Sequence, residues 1–185
     1  MGILLGFAPF IVFALLDSRL GVVPALGAAA VLSAVVLLRD WLVRKRTVKL
    51  LELGTLLLFG GLALYAIAMH AEWSLVAVRL RVDAGLLIVV LASMAMRQPF
   101  TLQYAKEQVP QEVWKHPSFM KINNLLTGVW AVAFGFMVLS DVAMVYLPAI
   151  PLWVGVTVTV VAIAGAIWFT VWYPKRVRAR MQARS

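Results

Sequence analysis

The chain has 185 residues, 63% of them hydrophobic and 14% charged, with no cysteine and a formal charge of +9. Soluble domains carry roughly 45–50% apolar and about 25% charged residues, and one globule of this length could not hide the surplus from water. A soluble enzyme, a disordered tail and a disulfide-stapled secreted scaffold are all disfavoured, and the composition reads as a single integral membrane domain over residues 1–185.

Gly2 to Leu16 is an uncharged apolar run closed by Asp17-Ser18-Arg19. No Lys or Arg precedes it, so it lacks the positive start of a secretory signal and reads as a retained first helix. Val22 to Leu38 is a second run, opening near Pro24, a residue that suits a helix's first turn. Both are short: about 15–17 residues reach only about 23–26 Å, below the roughly 30 Å hydrocarbon core. They could thin the bilayer locally, extend past Asp17 and Arg39 by snorkelling, or form a re-entrant pair; each option returns the chain to its starting side.

A basic loop from Arg39 to Lys49 follows, holding Arg44, Lys45 and Arg46 beside an interfacial Trp41. Leu50 to Met69 is a third span, with Glu52 near its mouth and Gly60-Gly61 in its middle. His70 to Trp73 marks an interface, and Val82 to Met96 is a fourth span with Arg79, Arg81 and Asp83 in its first turns. The longest polar stretch is Arg97 to Ser118. Pro99 can open a short helix there and Pro110 should end it, with Leu102, Ala105 and Val109 forming an apolar stripe against Lys106 and Glu107. This predicts an amphipathic segment lying on the membrane surface between spans four and five. Pro117-Ser118 then reads as a helix start with Ser118 as its cap. A fifth span runs from Phe119 to Leu139, Pro148 and Pro151 break the chain, and Pro151 to Tyr173 is the sixth span before a basic tail.

The expected fold is therefore all-α, a polytopic transmembrane bundle of six spans. Alternating loops test it. Arg39, Arg44, Lys45, Arg46, Lys49, Arg97, Lys106, Lys115, Lys121, Lys175, Arg176, Arg178, Arg180 and Arg184 fall on one side, and only Arg19, Arg79 and Arg81 on the other. That asymmetry is a positive-inside signature placing both termini in the cytoplasm. The basic charge is thereby orientation, with no reason to invoke nucleic acid. Trp41, Trp73, Trp114, Trp153, Trp172 and Tyr173 fall near span boundaries, as an aromatic belt does.

Reactive chemistry finds little footing. The two histidines, His70 and His116, fall on opposite predicted sides and cannot share a metal or haem, so neither a metal site nor a cofactor is expected. No nucleophile elbow or phosphate loop is present. Asp17, Glu72, Asp83 and Asp141 map near the outer boundary with Arg19, Arg79 and Arg81, as headgroup charges or as an ion-paired entrance. Glu52 can reach headgroup depth or pair with Arg44 or Lys45. No ionisable residue falls in the middle of a span, which argues against an ion-coupled pump.

The candidate site is the inner-face segment. Arg97, Thr101, Tyr104 and Gln108 follow helical spacing on one face, with Lys106 nearby. Arg suits bidentate contact with phosphate or carboxylate. Asn123 and Asn124 enter the fifth span, where unsatisfied amides are costly. Asn123, Thr127, Trp130 and Phe134 form one stripe there. Asn124, Gly128, Ala131 and Gly135 form a small-residue stripe that permits close helix approach or a substrate groove. Two readings stay open for the segment. It is a ligand or lipid site built on Arg97, Thr101, Tyr104, Lys106, Asn123, Asn124, Thr127 and Trp130, or an amphipathic connector held on anionic lipid by about 1 kcal/mol per basic residue.

The string Arg97-Gln-Pro-Phe-Thr, with the Trp114, Pro117, Phe119 and Asn123-Asn124 pattern after it, resembles bacterial inner-membrane proteins of the intracellular septation protein A-like family. The resemblance covers the middle and later chain and the small polytopic layout. It implies the bacterial inner membrane and a link to envelope or division machinery, and it carries no catalytic residue onto these positions. The expected role is a non-catalytic protein supporting envelope or division organisation through anionic headgroups, a second copy or another membrane protein. The alternative is a small transporter or lipid-handling protein.

Overall fold

The computed structural model describes residues 6–43 and 48–182, with the side chains at 18, 43 and 178–182 outside that description. Gly2 at the start of the first apolar run, the loop cations Arg44, Lys45 and Arg46, and Arg184 therefore lie outside the described residues. All regular structure among the described residues is helical. Helix α1 covers Ala8–Leu20 and α2 covers Val22–Leu38. They meet at Gly21, whose φ of 85° is a backbone conformation glycine takes without strain. A π-helical turn, Arg39–Val43, prolongs α2. Then come α3 (Leu50–Ala68), α4 (Leu75–Ala95), the short α5 (Phe100–Lys106) and α6 (Gln111–Trp114), and the long α7 (Pro117–Tyr146) and α8 (Leu152–Gln182).

Four helices are long and apolar enough to cross a membrane: Val22–Leu42, Leu50–Ala68, Pro117–Tyr146 and Leu152–Val177. The second apolar run, expected to fall short, is lengthened by the π turn to 21 residues, a reach of about 32 Å. Arg39 and Asp40 do not end it, because Asp40 turns inward to a buried ion pair while Trp41 and Leu42 stay exposed. The remaining two expected spans do not meet the same standard. Helix α1 has 13 residues, about 20 Å. Helix α4 has 21 but carries Arg79, Arg81 and Asp83 in its first half.

The chain divides into two compact units, Met1–Ser93 and Met94–Ser185. In the first, alanines on α2 (Ala25, Ala29) let Phe13 and Phe59 close over a core with Val78 and Val82. Phe59 lies 4.8 Å from Phe10 and 5.7 Å from Phe13, ring centre to ring centre. Helices α3 and α4 touch through reciprocal glycines. A Cβ on Gly54 would stand 2.7 Å from both Val89 γ-carbons, and one on Gly85 would stand 2.2 Å from Leu58 Cδ1. His70, at φ 47°, ends α3: its N–H donates to the Ile67 carbonyl and the Ala71 N–H to the Ala66 carbonyl, at 3.4 and 3.0 Å. That pairing is a Schellman closure with histidine where glycine is usual. Past it, Trp73 is layered between Tyr65 at 5.6 Å and the Arg81 guanidinium at 4.5 Å.

In the second unit α7 runs to Tyr146, about two turns beyond the expected Leu139, before Pro148 and Pro151 separate it from α8. Its N-cap is His116 rather than Ser118: the Ser118 N–H donates to His116 Nδ1 at 3.3 Å, with Pro117 in the first turn. The stripe of Asn123, Thr127, Trp130 and Phe134 is the buried face of α7. The small-residue stripe is not a site of close approach. Asn124 is exposed, and a Cβ on Gly128 or Gly135 would meet nothing within 4 Å. Pro174, expected to open the tail, lies inside α8.

Candidate functional site

The polar segment after α4 folds because of two backbone constraints. Proline disfavours helix at the residue before it, so Pro99 discourages α4 from continuing through Gln98. Arg97 takes the left-handed conformation, φ 55°, that ends α4, its N–H donating to the Met94 carbonyl at 2.9 Å. Helix α5 starts only at Phe100 and ends at Lys106. The spacing that joined Arg97, Thr101, Tyr104 and Gln108 is therefore not one helical face. Thr101 and Tyr104 lie on the buried side of α5, whereas Arg97 and Gln108 are exposed and off the helix.

Helix α5 docks on α7, burying Phe100, Thr101, Leu102 and Tyr104. Thr101 Oγ1 donates to the Asn123 carbonyl at 2.9 Å and sits 2.8 Å from Thr127 Oγ1. Asn123 Nδ2 donates to the Phe119 carbonyl at 2.8 Å, which leaves its buried Oδ1 without a hydrogen-bond partner. Phe100 stands edge-on to Tyr104 at 6.5 Å and to Trp130 at 6.2 Å, and Trp130 continues to Phe134 at 5.7 Å. Trp130 Nε1 donates to Thr170 Oγ1 of α8 at 3.1 Å. Lys106 is half-buried with its ammonium 5.2 Å from the Trp114 ring centre, and Trp114 Nε1 donates to the Val109 carbonyl at 3.3 Å. Of the eight candidate residues, Thr101, Tyr104, Asn123, Thr127 and Trp130 are brought together in the interior, while Arg97 and Asn124 face outward.

A second polar cluster lies in the first unit. Lys49 Nζ stands 3.0 Å from Asp40 Oδ2 and 3.1 Å from Glu52 Oε1, and all three side chains are buried. Glu52 thus pairs with the residue three before it. The π turn rotates Asp40 onto the same ammonium. Thr55 follows on the same helix, its hydroxyl donating to the Leu51 carbonyl at 2.5 Å. Arg44 and Lys45, the partners expected for Glu52, lie outside the described residues; Asp40 was not readable, because its placement depends on the π turn. Asp83 and Asp141, expected at headgroup depth, are buried in α4 and α7 at 7% and 1% exposure.

Chemically, the interior of the second unit offers hydroxyls, an amide and aromatic rings engaged mostly with one another. Lys49, Asp40 and Glu52 of the first unit are joined in a buried ion cluster. Such arrangements hold helices together in lipid, where hydrophobic burial does not drive helix against helix. No group of three metal-ligating side chains occurs among the described residues. Comparison of the chain with family models, with curated proteins and with solved structures finds no match.

Proposed function

We propose that this is a non-catalytic, multi-pass protein of the bacterial inner membrane with both termini in the cytoplasm. It supports envelope or division organisation through contacts with lipids and other membrane proteins. The observation that carries the reading is the closed interior of the second unit. The side chains that a solute pathway would need, Asn123, Thr127 and Trp130, are 2%, 0% and 0% exposed. Phe100 and Thr101 fill the space beside them. The outward faces, by contrast, carry Leu57, Leu64, Val160, Val161 and Trp168, all more than half exposed. In this reading α1 and α4 cross as well, giving six spans; α1 does so by local thinning and α4 with its charges near one headgroup layer.

The lipid-handling alternative rests on Arg97, an exposed cation held in a left-handed conformation. Non-glycine residues in such conformations cluster at functional sites.

The test is depletion of the chain in its bacterial host with cell length and septum placement followed by microscopy. Elongated or mis-septated cells restored by the intact chain support the proposal. Normal division together with loss of a solute's uptake would replace it with the transporter reading. The absence of cysteine makes orientation directly measurable. Single cysteines placed at Lys106 and Gln182 should react only with reagents that reach the cytoplasm, and one at Glu72 with reagents applied outside.

A further inference from the structure

The C-terminal half of α8 carries an aromatic ladder whose two ends, Trp168 and Arg176, are exposed and whose middle, Trp172, is half-buried. Trp168 and Trp172 are stacked with ring centres 5.3 Å apart and 14° between planes. The Arg176 guanidinium stands 5.0 Å over the other end of that stack, on Trp172. The three residues are spaced by four, so they form one ladder along a helix face, and Trp168 is 62% exposed. Phe169 and Tyr173 stack beside it at 5.2 Å.

Length and charge say what meets this ladder. From Leu152, where α8 begins, to Trp172 is about 30 Å of helix, one hydrocarbon thickness. Trp168 then lies inside the acyl region, Trp172 at its boundary and Arg176 about 6 Å beyond it, at phosphate depth. The cations past the boundary are Lys175, Arg176, Arg178, Arg180 and Arg184, and the last acidic residue in the chain is Asp141. No Asp or Glu side chain on this segment offsets them. A guanidinium stacked on a ring keeps its in-plane N–H donors for a bidentate phosphate contact. Being held by the ring, it gives up less freedom on binding than a loose arginine.

We propose that the Trp168–Trp172–Arg176 face of α8, with Lys175, is a binding site for an anionic phospholipid. The phosphate sits on Arg176 and the glycerol and upper acyl chain lie along the two indoles. The inference rests on the membrane reading of the chain and adds to it a partner and a place.

The experiment reconstitutes the full chain in mixed phosphatidylglycerol and phosphatidylcholine vesicles and measures its preference for spin-labelled phosphatidylglycerol over the labelled phosphatidylcholine. The chain should prefer the anionic lipid. Arg176→Gln should reduce that preference about fivefold, the contribution of one cation near an anionic surface. Trp172→Leu, which leaves the charge untouched, should reduce it about threefold by removing the ring beneath the guanidinium. Lys115→Gln, an exposed cation far along the chain, should change it less than about twofold. Soluble glycerol phosphate should not displace the lipid. The site is overturned if Arg176→Gln matches Lys115→Gln, or if Trp172→Leu retains the full preference, since charge alone then explains the binding. It is equally overturned if glycerol phosphate competes, since the ligand is then a free phosphate. A chain that fails to float with the vesicles would take the membrane reading down as well, which keeps the two failures apart.

Discussion

Lys49→Met is the most informative single change in the first unit. Lys49 Nζ bridges Asp40 Oδ2 and Glu52 Oε1 at 3.0 and 3.1 Å, with side chains only 3%, 9% and 4% exposed. The two carboxylate oxygens are therefore no more than about 6 Å apart. Methionine fills nearly the same volume, so the change removes charge and little packing. At an effective dielectric of about 20, two like charges about 6 Å apart repel by about 3 kcal/mol. Removing one partner of a buried ion cluster costs about 3–5 kcal/mol in total, because the two carboxylates lose the ammonium they share.

The assay is equilibrium unfolding in mixed detergent micelles, followed by helical circular dichroism. Lys49→Met should lower the unfolding free energy by about 3–5 kcal/mol, and Lys49→Arg should stay near the parent. The decisive variant is the double one. Adding Glu52→Gln to Lys49→Met removes the repulsion and should recover stability even though it deletes another charged group. If the double variant is no more stable than Lys49→Met, the carboxylates are not confronting each other through Lys49 and the triad is misassigned.

The same unfolding assay reads five further features. Gly54→Ala should cost about 1–3 kcal/mol, because Val89 is β-branched and cannot swing its γ-carbons away; Val89→Ala in that background should restore most of it. Gly85→Ala should cost less despite the shorter 2.2 Å approach, since Leu58 Cδ1 is the end of a rotatable side chain. Thr101→Val should lose about 1–3 kcal/mol by stripping the Asn123 carbonyl and Thr127 hydroxyl of their shared partner, while Thr101→Ser should hold. Thr170→Val should cost about 1 kcal/mol, Trp130→Phe more because it also empties part of a fully buried ring site, and the pair no more than Trp130→Phe alone, since both delete one hydrogen bond. Arg97→Gly should raise stability by about 1 kcal/mol through relief of its left-handed backbone; an unchanged or lower value would mean that the arginine side chain itself holds the end of α4.

The long apolar helices and the breaks at Pro148 and Pro151 were legible from composition and hydropathy, because crossing lipid demands unbroken apolar length. What stayed hidden depended on tertiary pairing. The Arg97–Gln108 periodicity looked like one face because spacing alone ignores what Pro99 does to Gln98; that restriction was available in the sequence and outweighs the stripe. The small-residue stripe of α7 looked like a contact surface, yet close approach occurs at Gly54 and Gly85, isolated glycines that signal nothing until α3 and α4 are set side by side. Asp40 read as a loop charge because no sequence rule marks a π turn. Asp141 was placed at a boundary by counting residues from Lys121, a measure of depth along the helix that says nothing about which side of it is covered.

Helices in a bilayer gain nothing from burying apolar surface against one another, so cohesion must come from close packing and polar contacts. The first unit has a charged clasp at the start of α3, glycine contacts along it, and the Tyr65–Trp73–Arg81 layers past its end. The second has the Thr101–Thr127 hydroxyl pair and the Trp130–Thr170 bond tying α5, α7 and α8 together. Lys49, Thr101, Thr127 and Trp130, the side chains that invite a chemical role, are thus held by intramolecular partners. Substituting them should change stability before it changes any interaction with the outside. The exposed cations behave in the opposite way. Arg97 sits in a costly backbone conformation and Arg176 on the aromatic ladder of its own helix, both with exposed side chains. Variants there should leave unfolding at or above the parent value while altering contact with lipid or partner. That separation is how a structural polar residue is told from a functional one in this chain.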